Sequence, residues 1–178
     1  MKIPAIASPY PVPAGRRTAW LKVIAFHDEL TGLYNHRYLR GQLARYQSSA
    51  TARLPLIVLF LDLDGFKAIN DRHGHAVGDE VLREVALLLR DVIGFDGLAY
   101  RIGGDEFVAT LVGDDPQRAR EIAEELRRRL SDSHTPLPMP GISIGWAVHP
   151  EEGDCLEDLV RIADQRMYEN KRARRMAR

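Results

Sequence analysis

The sequence predicts an α+β domain, and three observations carry that prediction. An uninterrupted apolar run, Leu56-Ile57-Val58-Leu59-Phe60-Leu61, has the length of a strand buried on both faces. The stretch from Tyr100 to Leu111 interrupts its strand patterning at Gly103-Gly104 and then resumes, as a hairpin with a tight turn does. Elsewhere apolar residues recur at helical spacing: Val81, Leu82, Val85, Ala86, Leu89 and Val92, then Ala119, Ile122, Ala123, Leu126 and Leu130. With 178 residues, 45% hydrophobic and 28% charged, the chain is sized for one domain with a substantial core.

Residues 1–16 contain Pro4, Pro9, Pro11 and Pro13, which read as a flexible tail and break up any signal-peptide-like apolar run; the domain proper is expected over 17–178. From Arg17 to Phe26, Trp20, Val23 and Ile24 suit a short amphipathic helix, either a lid on the core or a dimer contact. Thr31-Gly32 stops any helix, and Asn35 is placed to cap a second one running towards Gln47. The apolar strand then ends in Asp62 and Asp64, which project to one face while strand conformation lasts. Bare carboxylates there are costly, so a cation is expected beside them.

After Gly65-Phe66-Lys67 the chain reads as a polar, glycine-bearing loop through Asn70-Asp71-Arg72-His73-Gly74-His75. Asp79 opens the following helix, either as a cap on its dipole or as an acid that faces a ligand. Two histidines without further ligands read as structural, and an EF-hand fails because Phe66 and Lys67 stand where that loop needs a ligand and a glycine. Asp115-Pro116 starts another helix, Ile142 to Val148 reads as a strand, and Asp154 with Glu157 forms a capping pair for the last helix. Its buried stripe, Leu156, Leu159, Val160, Ala163 and Met167, runs on to Lys171 and Arg175. Those bases either suit the helix C-terminus or face phosphate beside the sheet.

Composition narrows the function classes. A formal net charge of zero gives no sign of nucleic-acid or membrane-surface binding, although the C-terminal end is locally basic. The single cysteine, Cys155, builds neither an internal disulfide nor a zinc site, as expected of a cytoplasmic protein. No apolar run has membrane-spanning length, and neither a Walker-type loop nor a dinucleotide Gly-x-Gly-x-x-Gly occurs. What remains is a set of carboxylates at a strand end, carboxylates at a hairpin tip, a glycine-bearing loop and late cations. The acids at the tip read either as an ordinary solvated turn or as metal ligands; the whole set is suited to a metal-nucleotide site. Such oxygens are hard ligands for magnesium, and two ions about 3.5–4 Å apart assist in-line displacement at phosphorus.

The chain resembles the GGDEF family of diguanylate cyclases, named for the motif Gly103-Gly104-Asp105-Glu106-Phe107. Three further blocks occur in order: His27-Asp28-x-Leu30-Thr31-Gly32-Leu33-x-Asn35; Asp62-x-Asp64-x-Phe66-Lys67-x-x-Asn70-Asp71 with Gly74-His75-x-x-Gly78-Asp79-x-x-Leu82; and Ala163-Asp164-x-x-Met167-Tyr168-x-x-Lys171. The resemblance implies a central, mainly antiparallel five-stranded sheet flanked by helices, of the ferredoxin-like nucleotide-cyclase palm type. It also implies condensation of two GTP into cyclic di-GMP with release of two pyrophosphates, across an antiparallel homodimer. Two Mg2+ (or Mn2+) ions per half-site would serve as cofactors.

Carried onto this sequence, the resemblance makes Asp62, Asp105 and Glu106 the catalytic acids. Metal would be held by Asp62, the Leu63 carbonyl and Asp105, and Glu106 would complete the metal site or help to deprotonate the hydroxyl. Gly103 and Gly104 would leave room for ribose and phosphate. The backbone around Gly65, Phe66 and Lys67, with Lys171 and Arg175, would hold the terminal phosphates. Asn70 and Asp79 would read guanine, whose N1–H and exocyclic amine a carboxylate can accept together, between apolar walls from Leu30 and Leu82.

Two departures stand out. The family's Arg-x-x-Asp product site ends five residues before the glycine pair, where this chain has Gly94 and Gly97, so no inhibitory product site is expected. The last block usually closes with a glycine before its arginine, and here Arg174 precedes Arg175. The rival reading is a catalytically silent nucleotide-binding or interaction module; such modules typically lose an acid from the hairpin or strand end, and none is missing here.

Overall fold

The apolar run at Leu56 becomes a strand paired on both sides, and the rest of the chain is laid against it. The computed structural model describes residues 24–48, 55–113, 115–153 and 155–176, without the side chains of 43–48 and 175. The expected tail, the expected helix from Arg17 apart from a helical turn at 24–26, and Asp154 of the expected capping pair lie outside those residues. In chain order the elements are β1 (Tyr34–Asn35), α1 (His36–Ser48), β2 (Leu56–Asp64), α2 (Phe66–His73), α3 (His75–Ile93), β3 (Gly97–Gly103), β4 (Glu106–Val112), α4 (Pro116–Ser131), β5 (Gly141–His149) and α5 (Leu156–Met176). They form one five-stranded sheet in the order β1-β3-β4-β2-β5, antiparallel except where β1 meets β3. The mainly antiparallel, helix-flanked sheet is the expected one.

Alternation along β2 divides the core. Ile57, Leu59, Leu61 and Leu63 pack with α3 and α4, and Val58 and Phe60 pack with α1 and α5. Burial of each such side chain contributes about 1.5–3 kcal/mol, so a one-residue slip of β2 would turn both sets to the wrong side. That alternation also puts Asp62 and Asp64 on the α5 face, where Val58 and Phe60 precede them.

Helix starts follow local chemistry. The Asn35 carboxamide oxygen accepts the Tyr38 amide at 3.1 Å, while its nitrogen donates to the carbonyls of Ala25 and His27, so one side chain caps α1 and ties down the incoming segment. Asp115 accepts the Gln117 amide at 2.9 Å ahead of Pro116 and so caps α4.

One expectation is corrected. The stretch from Phe66 to His73 is a helix rather than a loop, and Asp79 does not open α3, which begins one turn earlier at His75. The break comes from Gly74 alone, at φ 85°, a conformation costly for any side chain. Asp79 is therefore freed from capping and presented from the second turn.

Candidate active site

At the C-terminal end of β2, Asp62 lies directly across the antiparallel ladder from Glu106, the first residue of β4. Directly opposed like charges repel, and the fold compensates with a lysine: the Lys171 ammonium donates to Asp62 Oδ1. The buried stripe of α5 thus ends as expected, pointing its first cation at the strand-end acid. Asp62 is 7% exposed, and burial, with Asp105 and Asp64 nearby, raises its proton affinity against the opposing pull of Lys171. Glu106 is shifted upward too, first by burial and then by Asp62, Asp105 and Asp164.

The hairpin tip is built from Gly103, which ends β3, and Gly104 at φ 49°. Both are exposed, so the backbone here is open to a ligand. The Leu63 amide donates to the Asp105 carbonyl at 3.3 Å. In a strand the amide and carbonyl of one residue point the same way, so the Leu63 carbonyl also faces the tip. Among the described residues no group of three or more His, Cys, Asp or Glu suffices to enclose a metal. Magnesium takes one or two protein acids and completes its shell with water and phosphate. The donors are hard oxygens, and the acids outnumber Lys171, so Asp62, Leu63, Asp105 and Glu106 suit such an ion.

The other expected residues gather round the same end of the sheet. Gly65, at φ 81°, precedes α2 without a side-chain cap, which leaves the first-turn amides around Phe66 and Lys67 free of side-chain competitors. Phe66 itself is buried, and Lys67 is exposed. Asn70 on α2 lies over Gly78 of α3, where an added Cβ would stand 1.9 Å from its Oδ1, and Asp79 follows Gly78 in the chain. Leu30 and Leu82 belong to one apolar cluster, with Leu82 only 2% exposed, a floor more than a wall. The Arg175 side chain lies outside the described residues; Arg174 turns to β5, donating to the Ile142 carbonyl at 3.0 Å and standing 3.6 Å from Asp64.

Sequence reasoning missed a brace. Arg101 donates through Nε and Nη2 to the Gly104 carbonyl at 3.0 and 2.8 Å, and through Nη1 to Asp28 at 3.0 Å. It thereby fixes the hairpin tip to the segment ahead of β1. Burial pushes the Asp28 carboxyl up, but the Thr31 hydroxyl and amide together with Arg101 outweigh it and hold it below the usual range. A depressed carboxylate stabilises the fold above its unfolded value and loses that contribution as pH falls through the folded one. Asp28→Asn is therefore expected to cost about 1–2 kcal/mol at pH 7, a difference that shrinks below about pH 4; urea unfolding across that range measures it.

The family described as "Diguanylate cyclase, GGDEF domain" matches residues 25–177. The chain belongs to the GGDEF diguanylate cyclase family. This GGDEF domain is 40% identical over 161 residues to the response regulator PleD of Caulobacter vibrioides, covering 86% of this chain and 36% of PleD. It is 41% identical over 162 residues to diguanylate cyclase TpbB of Pseudomonas aeruginosa, covering 86% and 37%. The chain spans little more than a third of either relative. Among solved structures, the GGDEF domain of Pseudomonas aeruginosa TpbB superposes with a TM-score of 0.75 at 37% identity, over 83% of this chain and 89% of that one. The coiled coil and GGDEF domain of DgcB from Caulobacter crescentus, in complex with c-di-GMP, gives 0.78 at 26% identity, over 89% and 87%. The sheet is thus the nucleotide-cyclase palm anticipated from sequence. No described helix is long and apolar enough to cross a membrane.

Proposed function

We propose that this GGDEF domain condenses two GTP molecules into cyclic di-GMP, each 3′-oxygen displacing pyrophosphate from the other nucleotide's α-phosphorus. The reading is supported above all by one juxtaposition, the Asp62–Glu106 pair across the β2–β4 ladder with Asp105 at the tip and Lys171 arriving from α5. In each displacement a new P–O bond forms, the bond to the β-phosphate oxygen breaks, and the hydroxyl proton passes towards Glu106, whose raised proton affinity suits it as acceptor. Lys171 is already within reach of the acids and would turn to the terminal phosphates, with Arg175 and the amides that follow Gly65. Asn70 and Asp79 would recognise guanine, with Leu30 and Leu82 beneath it. Magnesium or manganese, two ions per half-site held by Asp62, Leu63, Asp105 and Glu106, would supply Lewis-acid activation of the attacking oxygen and charge neutralisation of the leaving pyrophosphate.

One chain supplies one half of this reaction, so an antiparallel homodimer in the cytoplasm is the active species in our reading. Product inhibition through an Arg-x-x-Asp site is not expected. Gly94 and Gly97 bracket a 3-10 turn there, and the guanidinium beside it, Arg118, is engaged with Asp96 at 3.1 Å.

The decisive experiment incubates purified protein with GTP and magnesium over a range of protein concentrations. Cyclic di-GMP and pyrophosphate are expected, with specific activity rising steeply with protein concentration; a demonstrably dimeric protein that yields no product overturns the reading. Gly78 provides a second check. A methyl group there would push the Asn70 side chain aside and press on the Phe66 ring at 3.3 Å, a contact that a shift of a few tenths of an ångström relieves, so Gly78→Ala is expected to keep the fold and raise the KM for GTP about tenfold.

A further inference from the structure

Away from these acids, a cavity of about 540 Å3 opens at the β5 edge, between the C-terminal portions of α4 and α5. Arg127 from α4 and Arg174 from α5 both line it, with Ser131, Ser133, Leu137 and Met139. The two guanidinium groups line one cavity, and the ion pair recorded for them is that of Arg174, which stands 3.6 Å from Asp64 Oδ2 while the Ser143 hydroxyl donates to Oδ1 at 2.7 Å. The Arg127 Nε is buried and has no hydrogen-bond partner among the described residues. Burial and then repulsion from Arg174 lower the proton affinity of Arg127, and Glu124 and Asp64 do not offset them. A buried donor without an acceptor costs about 1–3 kcal/mol, so Arg127 reaches the cavity as an under-neutralised guanidinium.

Donor geometry narrows the acceptor. Two planar forks and two hydroxyl groups offer more donors than the two oxygens of a carboxylate can use, whereas a phosphate monoester presents three terminal oxygens and close to two negative charges. Leu137 and Met139 supply an apolar wall for the remainder of such a molecule. Arg174 is also the position at which this chain replaces the glycine of its family's last block, so the site belongs to this sequence. We propose that the cavity binds a small organic phosphate, its oxyanion held between Arg127 and Arg174 and its apolar body laid against Leu137 and Met139. Binding would draw Arg174 from Asp64, two residues along β2 from Asp62. The proposal does not depend on the condensation reaction.

Phenyl phosphate titrated calorimetrically into the full chain tests it. Saturable one-to-one binding is expected, at least about tenfold weaker in Arg127→Gln and in Arg174→Gly. The Lys171→Gln protein should bind as tightly as wild type, because the lysine it loses is the one assigned to the nucleotide's terminal phosphates, and phenol should not bind. Circular dichroism establishes that each variant is folded. If Arg127→Gln does not fold, Arg174→Gly, altered at a side chain 39% exposed, carries the test. Absence of saturation up to about 10 mM, equal affinity in the folded arginine variants, or loss of binding in Lys171→Gln overturns the proposal.

Discussion

Glu106→Gln is expected to lower turnover by about 10³-fold or more while leaving the fold and much of GTP binding intact. The substitution keeps the size and hydrogen-bonding shape of the side chain and removes its capacity to take a proton, a role worth about 10²–10⁴ in rate. It also removes a repulsion. Because burial and the acids Asp62, Asp105 and Asp164 raise the proton affinity of Glu106 in the folded state, the native protein binds more protons here than the unfolded chain does. Between the ordinary glutamate value and the raised one, stability at this position therefore falls as pH rises. The variant should be at least as stable as wild type at pH 7, and the gap should close as pH falls through the raised value. Thermal unfolding against pH measures that sign, and calorimetry with GTP measures binding. Equal loss of binding and turnover would move Glu106 from proton transfer to ground-state binding.

The same acids explain which parts of the fold can be read from sequence. Continuous apolar β2 and the stripe of α5 are legible because burial imposes a period, and following that stripe four residues further leads to Lys171 and, through it, to Asp62, 109 positions away. The hairpin is legible because its turn needs glycine, with Gly104 at positive φ. Helix α2 is hidden because only Phe66 and Ile69 mark its inner face among eight residues. Strand β1 is two residues long, too short for any alternation. The Arg101 brace escapes because its partner Asp28 is 73 positions away and neither residue lies on a periodic face. Arg174 escapes for another reason: its partners are the Ile142 carbonyl and Asp64, one a backbone atom that no side-chain pattern encodes. What sequence conveys is thus the residues that the core or a turn constrains, and what it withholds is the polar contact between elements.

Gly145→Ala is expected to be the most damaging alanine substitution among the described glycines. In β5 this glycine faces α5, and an added Cβ would lie 2.1 Å from the Ala163 carbonyl oxygen and 2.2 Å from the Met167 nitrogen. Both are backbone atoms inside a helix, so no side chain can swing away to make room. The helix would have to lift from the sheet over the turn that carries Ala163 and Met167, which are 0% and 4% exposed in the native packing. Overpacking of this kind costs about 1–3 kcal/mol when side chains can adjust, and a backbone collision belongs at or above the upper end. The displacement would propagate one turn on, where Lys171 meets Asp62 and Arg174 meets Asp64. Two readouts should therefore fall together in Gly145→Ala: the urea midpoint, and GTP affinity in whatever fraction remains folded. By contrast Gly103→Ala, where an added Cβ has nothing within 4 Å, should leave the midpoint unchanged. If Gly145→Ala unfolds at the wild-type midpoint, α5 is not held by that contact, and the coupling of helix packing to the Lys171–Asp62 pair fails with it.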